Sequence, residues 1–227
     1  MIKIRVEISK GEEIRYISHL DYAGAIEKAL KRANIPVAYS EGFNPHMKMS
    51  FASALAVGLT SATEYMEVEL KEKVIIEDFV NEFKKQLPSG INVIRAKYLT
   101  KKEKALMAIV DLATYNVVAP LLCDKIEATT AIDKFNKAKV INYLKVTPKS
   151  TKEIEIKQFI KGDISFVVND NVANINMAIK ITPTGSVKPT DVLSAIQEQF
   201  ALNISYDDAL IHRTGLYAEG KSPIELI

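Results

Sequence analysis

Hydrophobic and polar residues alternate with a period of two at the start of the chain and take up helical spacing soon after. Ile2, Ile4, Val6 and Ile8 alternate with charged neighbours, which predicts a strand with one buried face. The segment SHLD, residues 18–21, has the form of a capping box, and apolar residues follow it at helical spacing. The chain therefore begins with a strand and a helix.

The segment SEGFNPHMKMSFA, residues 40–52, predicts a turn that runs into a strand. Its glycine, asparagine and proline favour the turn, and Met47, Met49 and Phe51 then alternate with polar or small residues. A strand over 66–70, a helix over 76–87 and a strand over 91–98 follow. The order β-α-β-β-α-β is that of the ferredoxin-like split βαβ unit.

The same order of elements is predicted again after a lysine-rich stretch, KYLTKKEKALM, which we interpret as a junction near residue 102. We therefore predict an α+β protein of two tandem ferredoxin-like domains with antiparallel sheets, residues 1–102 and 103–227, the second with an extra hairpin. The predicted elements of the second domain are strands at 105–118, 140–147, 152–160, 173–182 and 204–213, helices at 130–139 and from 189, and the hairpin at 160–169.

Several segments together resemble a bacterial family of radical-SAM-linked proteins of unknown function. They are IRYISHLD, IPVAYSEGFNPHMKMSFASALAVGLTSATEYMEVEL, KEIEIKQFI, TPTGSVKPTDVL and HRTGLY, and they span nearly the whole chain. The resemblance implies a radical-SAM protein as partner, and it supplies no catalytic residues. Met47 and Glu155 depart from the residues more usual in that family, a proline and an aspartate.

The amino-acid composition limits the classes of protein to which this chain can belong. The chain is 48% hydrophobic and 26% charged, as in a folded globular protein, and has one cysteine, Cys123, which excludes a disulfide framework and a cysteine-based metal cluster. The N-terminus has no signal or transit character, and no apolar run has the length of a membrane span. We therefore expect a cytoplasmic protein with no membrane association and no cofactor.

His19 and Asp21 are the first candidate pair for chemistry. A histidine in the first turn of a helix lies near the positive end of the helix dipole, which favours its neutral form. A neutral imidazole acts as a general base or accepts a hydrogen bond from a ribose hydroxyl. The alternative is that Ser18 and Asp21 cap the helix and His19 packs against the turn.

The turn at residues 42–46 is the second candidate. In a β-α-β-β-α-β unit it approaches the edge at which the first helix starts, so His19 and His46 are expected to converge there. The predicted binding residues of this polar, partly basic site are Arg15, His19, Asn44, His46, Lys48 and Arg213. The alternative is a turn whose residues serve geometry alone.

Basic residues supply the third candidate, because they follow a nucleic-acid backbone in many proteins. The predicted RNA-backbone contacts are Lys28, Lys31, Arg32, Lys101 and Lys102, although a solvated helix face and a polar linker explain them equally. Aromatic residues are sparse, and base stacking is not indicated. The glycine turn of TPTGSVKPTDVL is adequately explained by capping through Thr190, and no metal-ligand spacing occurs.

Three functions remain open. The first is an accessory module, not itself an enzyme, that presents tRNA or rRNA to a radical-SAM modification enzyme. The second is an adaptor that binds only the radical-SAM protein. The third is a metal-free ribonuclease that uses His19 or His46 as general acid or base. The net charge of +2 does not decide between them.

Overall fold

A computed structural model of the chain describes residues 2–100, 104–147 and 150–227. It has a mixed α+β fold with mostly antiparallel sheet, and the described residues form five α-helices. Two compact units are distinguished, Met1–Asp111 with Arg213–Ile227, and Leu112–His212. The predicted junction near residue 102 lies outside the described residues, so the boundary at 102/103 stays a prediction.

The first unit has the predicted element order. Its elements are β1 (Ile2–Lys10), α1 (His19–Arg32), β2 (Met49–Phe51), β3 (Leu59–Leu70), α2 (Ile76–Gln86) and β4 (Ile91–Tyr98). β1 lies between β4 and β3 and pairs antiparallel with both, while β2 pairs antiparallel with β3. β3 begins earlier than predicted and β2 is only three residues long. The ferredoxin-like assignment stays a prediction.

The core of the first unit lies between the sheet and its two helices. Ile4, Val6 and Ile8 of β1 are fully buried together with Ile26 and Leu30 of α1. These positions follow the two periods seen in the sequence, two for the strand and about 3.6 for the helix. Burial of a large aliphatic side chain contributes about 1.5–3 kcal/mol to the free energy of folding, so this layer fixes the helices on one face.

The other face of this sheet carries charged residues that are also buried. Arg5 is fully buried; its Nε and Nη2 donate to Glu67 Oε1 at 3.1 and 2.7 Å, and its Nη1 donates to the Pro223 carbonyl at 2.6 Å. Tyr65 lies between Glu7 Oε1 and Ser222 Oγ, at 3.0 and 2.9 Å. These contacts hold the C-terminal segment against the sheet.

The described residues of the second unit form a sheet, a separate hairpin and two α-helices. β9 lies between β5 and β8, and both pairings are antiparallel. β6 and β7 form the two-stranded hairpin. The elements from residue 106 onward are α3 (Leu106–Ile109), which precedes this unit, β5 (Leu112–Pro120), α4 (Lys125–Lys137), β6 (Asn142–Thr147), β7 (Ser150–Glu155), β8 (Ser165–Asn169), β9 (Val172–Lys180), α5 (Pro189–Phe200) and β10 (Leu210–Tyr217).

Several predicted boundaries in the second half are wrong. The strand predicted from residue 105 starts at Leu112, because residues 106–109 form the short helix α3. The separate hairpin is β6–β7, whereas residues 165–169, predicted as part of an extra hairpin, join the sheet through β9. Helix α4 starts five residues earlier than predicted, where the Asp124 carboxylate accepts from the Ile126 and Glu127 amides.

Among the described residues, none of the helices is both long enough and apolar enough to cross a membrane.

Replacement of Arg5 by methionine is predicted to lower the free energy of unfolding by about 3–5 kcal/mol, because Glu67 then remains buried without its main partner. Urea denaturation measures this change. The double variant Arg5→Met/Glu67→Met removes both charges and is expected to recover most of the loss.

Lys85→Met is the matched control for this prediction. Lys85 forms an exposed pair with Glu82 at 2.6 Å, and exposed pairs contribute only about 0.2–1 kcal/mol. If Arg5→Met costs no more than Lys85→Met, the buried pair does not stabilise the sheet face.

Candidate ligand-binding site at the start of α1

The start of α1 is fixed by the predicted cap. Ser18 Oγ accepts from the Asp21 amide at 3.1 Å and donates to Asp21 Oδ2 at 2.7 Å. Lys10 holds the loop that precedes α1, since its buried ammonium donates to the carbonyls of Arg15 and Ile17 at 3.0 and 3.3 Å. Burial also lowers the pKa of Lys10. The capping prediction for Ser18 and Asp21 is therefore confirmed.

Arg15 is buried and joins this loop to residues 56–58. Its Nε and Nη2 donate to the Glu12 carboxylate at 2.8 and 2.6 Å, and its Nη1 donates to the Gly58 carbonyl at 2.8 Å. The Gly58 amide donates in return to the Arg15 carbonyl at 3.1 Å. The guanidinium is therefore held by internal acceptors, and its contribution is to position the loop.

Glu64 and Arg213 form a buried ion pair beneath His19. Glu64 is 2% exposed and Arg213 is 4% exposed, and Nη1 of Arg213 lies 2.8 and 3.0 Å from the two carboxylate oxygens. Glu64 is in phase with Met66, Val68 and Leu70, so its side chain lies on the helix-facing side of β3. The charge of each partner compensates the other, which is the condition for burying either.

His19 is half-buried above this ion pair. Its ring packs edge-on against Phe51, with ring centroids 5.1 Å apart, and its Nδ1 is buried with no hydrogen-bond partner among the described residues. Burial lowers the pKa of His19; Arg213 and Lys10 lower it further, while Glu64 raises it. The imidazole is thus held in its neutral form near pH 7, with one nitrogen able to accept a hydrogen bond.

The turn at residues 40–46 is closed by Ser40. The Ser40 amide donates to the His46 carbonyl at 2.8 Å, and its hydroxyl accepts from the His46 amide at 2.9 Å. Gly42 has φ of +112°, a conformation that favours glycine. Asn44 and His46 are exposed, and Phe43 at the tip has its side chain fully in solvent.

The structure brings together only part of the predicted site. Arg15, His19 and Arg213 belong to one cluster, although they are distant in sequence. No hydrogen bond or ring contact between His19 and His46 occurs in the part of the chain that the structure describes. Lys48 lies beyond the turn, where its ammonium donates to Glu69 at 3.2 Å on the sheet face opposite the helices.

The predicted RNA-backbone residues differ in their surroundings. Lys31 pairs with Glu27 at 2.7 Å, and Arg32 donates to the Gln86 carbonyl at 2.6 Å. Lys28 is exposed on the same helix. Lys101 and Lys102 lie outside the described residues. Of the three predicted cations on α1, Lys28 is therefore the one for which the described residues provide no ion-pair or hydrogen-bond partner to compete with a phosphate.

The glycine turn before α5 is closed by internal hydrogen bonds. Thr182 and Gly185 exchange backbone hydrogen bonds at 3.0 Å, and Gly185 has φ of +130°. Capping by Thr190 is wrong, because the helix starts at Pro189 and the Asp191 carboxylate accepts from the Lys188 amide at 2.9 Å. Asp191 also pairs with Lys145 at 2.7 Å. This segment therefore stabilises the start of the helix.

Within residues 2–100, 104–147 and 150–227, no three histidine, cysteine or acidic side chains converge in a way that suits a metal ion.

Three further members of the cluster, Lys10, Glu64 and Phe51, were not predicted from the sequence. The sequence does contain a signal for Glu64. It is a charged residue on the same face of the strand as the apolar residues Met66, Val68 and Leu70. Such a residue needs a buried counter-charge. Its partner, Arg213, lies 149 positions away, and no local pattern links the two.

A family model described as "Uncharacterized protein conserved in bacteria (DUF2344)" matches residues 3–189. The chain belongs to this family of bacterial proteins. No curated protein matches the chain.

Two solved structures are similar to this chain at low sequence identity. One, described as an unknown protein from Galdieria sulphuraria, has 13% identity and a TM-score of 0.26, with 94% of this chain and 99% of that chain covered. The other, described as a RAMP protein binding different RNA substrates, has 9% identity and a TM-score of 0.24, with 79% and 87% covered.

His19 is predicted to titrate below its ordinary pKa of about 6.5, because burial and two nearby cations oppose its protonation. The unfolded chain then binds the proton more readily than the folded chain. The free energy of unfolding is therefore at its full value above about pH 6.5 and falls as the pH drops towards the lower folded pKa.

Two measurements check the direction of the His19 pKa shift and of the resulting pH dependence of stability. Imidazole proton signals followed by NMR give the titration midpoint, and the variant His19→Gln identifies the signal. Urea denaturation at several pH values is expected to show that His19→Gln removes this part of the pH dependence. A midpoint at or above 6.5 for His19 would show that the surrounding charges do not act as described.

Proposed function

We propose that this chain is an accessory RNA-binding module, not itself an enzyme, that presents tRNA or rRNA to a radical-SAM modification enzyme. The radical-SAM part of the proposal rests on the sequence resemblance. The RNA part rests on groups exposed in the first unit. The observation that carries it is the exposure of Phe43 at the tip of the turn, directly before Asn44 and two residues before His46.

An exposed aromatic ring with hydrogen-bonding neighbours suits a single-stranded RNA segment. Unpaired bases stack on aromatic side chains, and such stacking contributes about 1–3 kcal/mol per base. Asn44 offers a donor and an acceptor, and His46 offers ring nitrogens to base edges or ribose hydroxyls. The amide and the hydroxyl of Ser40 both form hydrogen bonds with the backbone of His46. These bonds fix the turn that carries Phe43 and Asn44.

The start of α1 offers a second contact region of the same character. Tyr16 is 74% exposed, and His19, which is half-buried and neutral near pH 7, follows three residues later. The part of the imidazole that remains exposed suits a hydrogen bond with a ribose hydroxyl. Lys28, exposed on the same helix, supplies charge attraction to phosphates.

The protein-only adaptor is the second candidate, and one observation favours it. Leu20 and Val57 are 82% and 55% exposed, and exposed apolar side chains also fit a protein partner. No observation among the described residues specifically favours the ribonuclease alternative.

The test measures the binding of fluorescent total tRNA and of a single-stranded RNA by anisotropy, at two salt concentrations. Phe43→Ala is expected to weaken binding about tenfold or more, the loss of one stacked base. His19→Ala/His46→Ala is expected to weaken it further. Affinity is also expected to fall as salt rises.

Ile75→Ala is the matched control, because Ile75 is an exposed apolar residue, 65% accessible, elsewhere on the same unit. Equal losses for Ile75→Ala and Phe43→Ala would contradict the stacking role. If the wild-type chain binds no RNA while it comigrates with a purified radical-SAM protein in size exclusion, the adaptor replaces the RNA-binding proposal.

A further inference from the structure

One face of the sheet in the second unit is buried, and the other face is open along three strands. In β5, the residues Ala113, Tyr115, Val117 and Ala119 are buried, while the residues between them are only half-buried. β9 shows the same alternation, and in β8 only Val168 is buried. The alternate positions of these three strands therefore form a face whose side chains are accessible.

Two neighbouring rows of this open face contain three asparagines. In the first row, Asn116 of β5 lies directly opposite Asn176 of β9, and Asn176 lies opposite Ser165 of β8. The second row is centred on Asn174 of β9. β8 and β9 are joined by a two-residue turn, 170–171, in which φ is +47° and +59°, and a turn of this kind fixes the register of the two strands.

The three asparagines form hydrogen bonds with one another. Asn116 Nδ2 donates to Asn174 Oδ1 at 3.3 Å and to Asn176 Oδ1 at 2.9 Å, and Asn176 Nδ2 donates to Ser165 Oγ at 3.2 Å. These bonds define the direction in which each amide faces. Asparagine is nevertheless depleted in strands, so three of them at adjacent positions suggest a role besides stability.

This set of hydrogen bonds leaves an acceptor and a donor available on neighbouring side chains. Among the described residues, none donates to Asn116 Oδ1 and none accepts from Asn174 Nδ2. Both side chains lie on the half-buried, accessible face. The edge of a nucleobase likewise has a donor beside an acceptor, and proteins bind unpaired bases through hydrogen bonds to such edges.

The surroundings of the two amides suit a flat, uncharged group. Val118 and Val167 lie on either side of Asn174 in the second row, and Val167 is 54% exposed. Neither row contains a charged side chain, so a phosphate placed there would lose water without gaining a counter-charge. A nucleobase is neutral and has an apolar ring face for the valines and a polar edge for the amides.

We propose that this open face binds one unpaired nucleobase of the RNA, with the base edge on Asn116 and Asn174 and the ring against Val118 and Val167. This inference rests on the proposed RNA-binding function. It adds a region in the second unit that contacts a base through its hydrogen-bonding edge.

The experiment uses the full chain labelled with ¹⁵N and four single-stranded RNA oligomers, one for each base. At least one oligomer is expected to shift the side-chain amide signals of Asn116 and Asn174 in a saturable manner. Asn174→Val removes the donor and introduces a residue that favours strands. Affinity for that oligomer is expected to fall about three- to tenfold, the effect of one hydrogen bond, while the free energy of unfolding in urea is not lowered.

Two comparisons make the test specific. Asn142→Val is the matched control, because Asn142 is an exposed asparagine on the separate hairpin of the same unit, and RNA affinity is expected to stay unchanged. Asn174→Val is also expected to keep the salt dependence of the wild type, since no phosphate contact is lost. Loss of a lysine–phosphate contact would instead lower the salt slope by about one.

Three results would overturn the assignment. One is the absence of a saturable shift of these side-chain amides with any of the four oligomers. Another is a less stable Asn174→Val variant with unchanged RNA affinity, which would give the asparagines a structural role alone. The last is a shift of the same signals with protein concentration in the absence of RNA, which would make this face a contact with a second copy of the chain.

Phe43→Ala, measured beside these variants, separates the two proposals. If Phe43→Ala weakens RNA binding and Asn174→Val does not, the nucleobase site in the second unit is wrong and the proposed function stands. If the wild-type chain binds no RNA, both proposals are wrong.

Discussion

The first unit depends on two buried ion pairs that share one strand. β3 carries Glu64 on the face that meets the helices and Glu67 on the opposite face, and each carboxylate is held by an arginine. Glu64 pairs with Arg213 and Glu67 pairs with Arg5. Since none of these four residues is more than 4% exposed, loss of any one side chain would leave a charge buried without its counter-charge.

These two pairs place the C-terminal segment as well as the sheet. Arg213 starts the C-terminal part of the first unit, and Arg5 also donates to the Pro223 carbonyl. Arg95 reaches Ser222 Oγ at 3.2 Å and Glu225 at 3.5 Å, and it also pairs with Glu7. Burial is the main cause that raises the pKa of Tyr65 to about 12. The last residues of the chain are therefore part of the structure of the first unit.

Patterns of neighbouring residues in the sequence predicted the features of the fold that neighbouring residues determine. The cap formed by Ser18 and Asp21, the end of α1 before Pro36 and the limits of β4 follow from neighbouring residues, and the structure has them. The short helix at 106–109 was missed, because an apolar run of this length fits a helix or a strand equally. The last strand, β10, begins at Leu210 and not near residue 204 as predicted. The cluster around His19 was predicted in part, through Arg15 and Arg213. Glu64 was not, since its role depends on a partner far away in the sequence.

The internal partners of each charged group distinguish structural residues from candidates for binding. Arg5 and Arg15 use several nitrogens on internal acceptors, so their charges are directed inward. His19 Nδ1 differs, because it is buried without a hydrogen bond among the described residues. Buried polar atoms of folded proteins are nearly all paired, so this nitrogen is an exception among the described residues of the first unit and distinguishes His19 from the arginines around it.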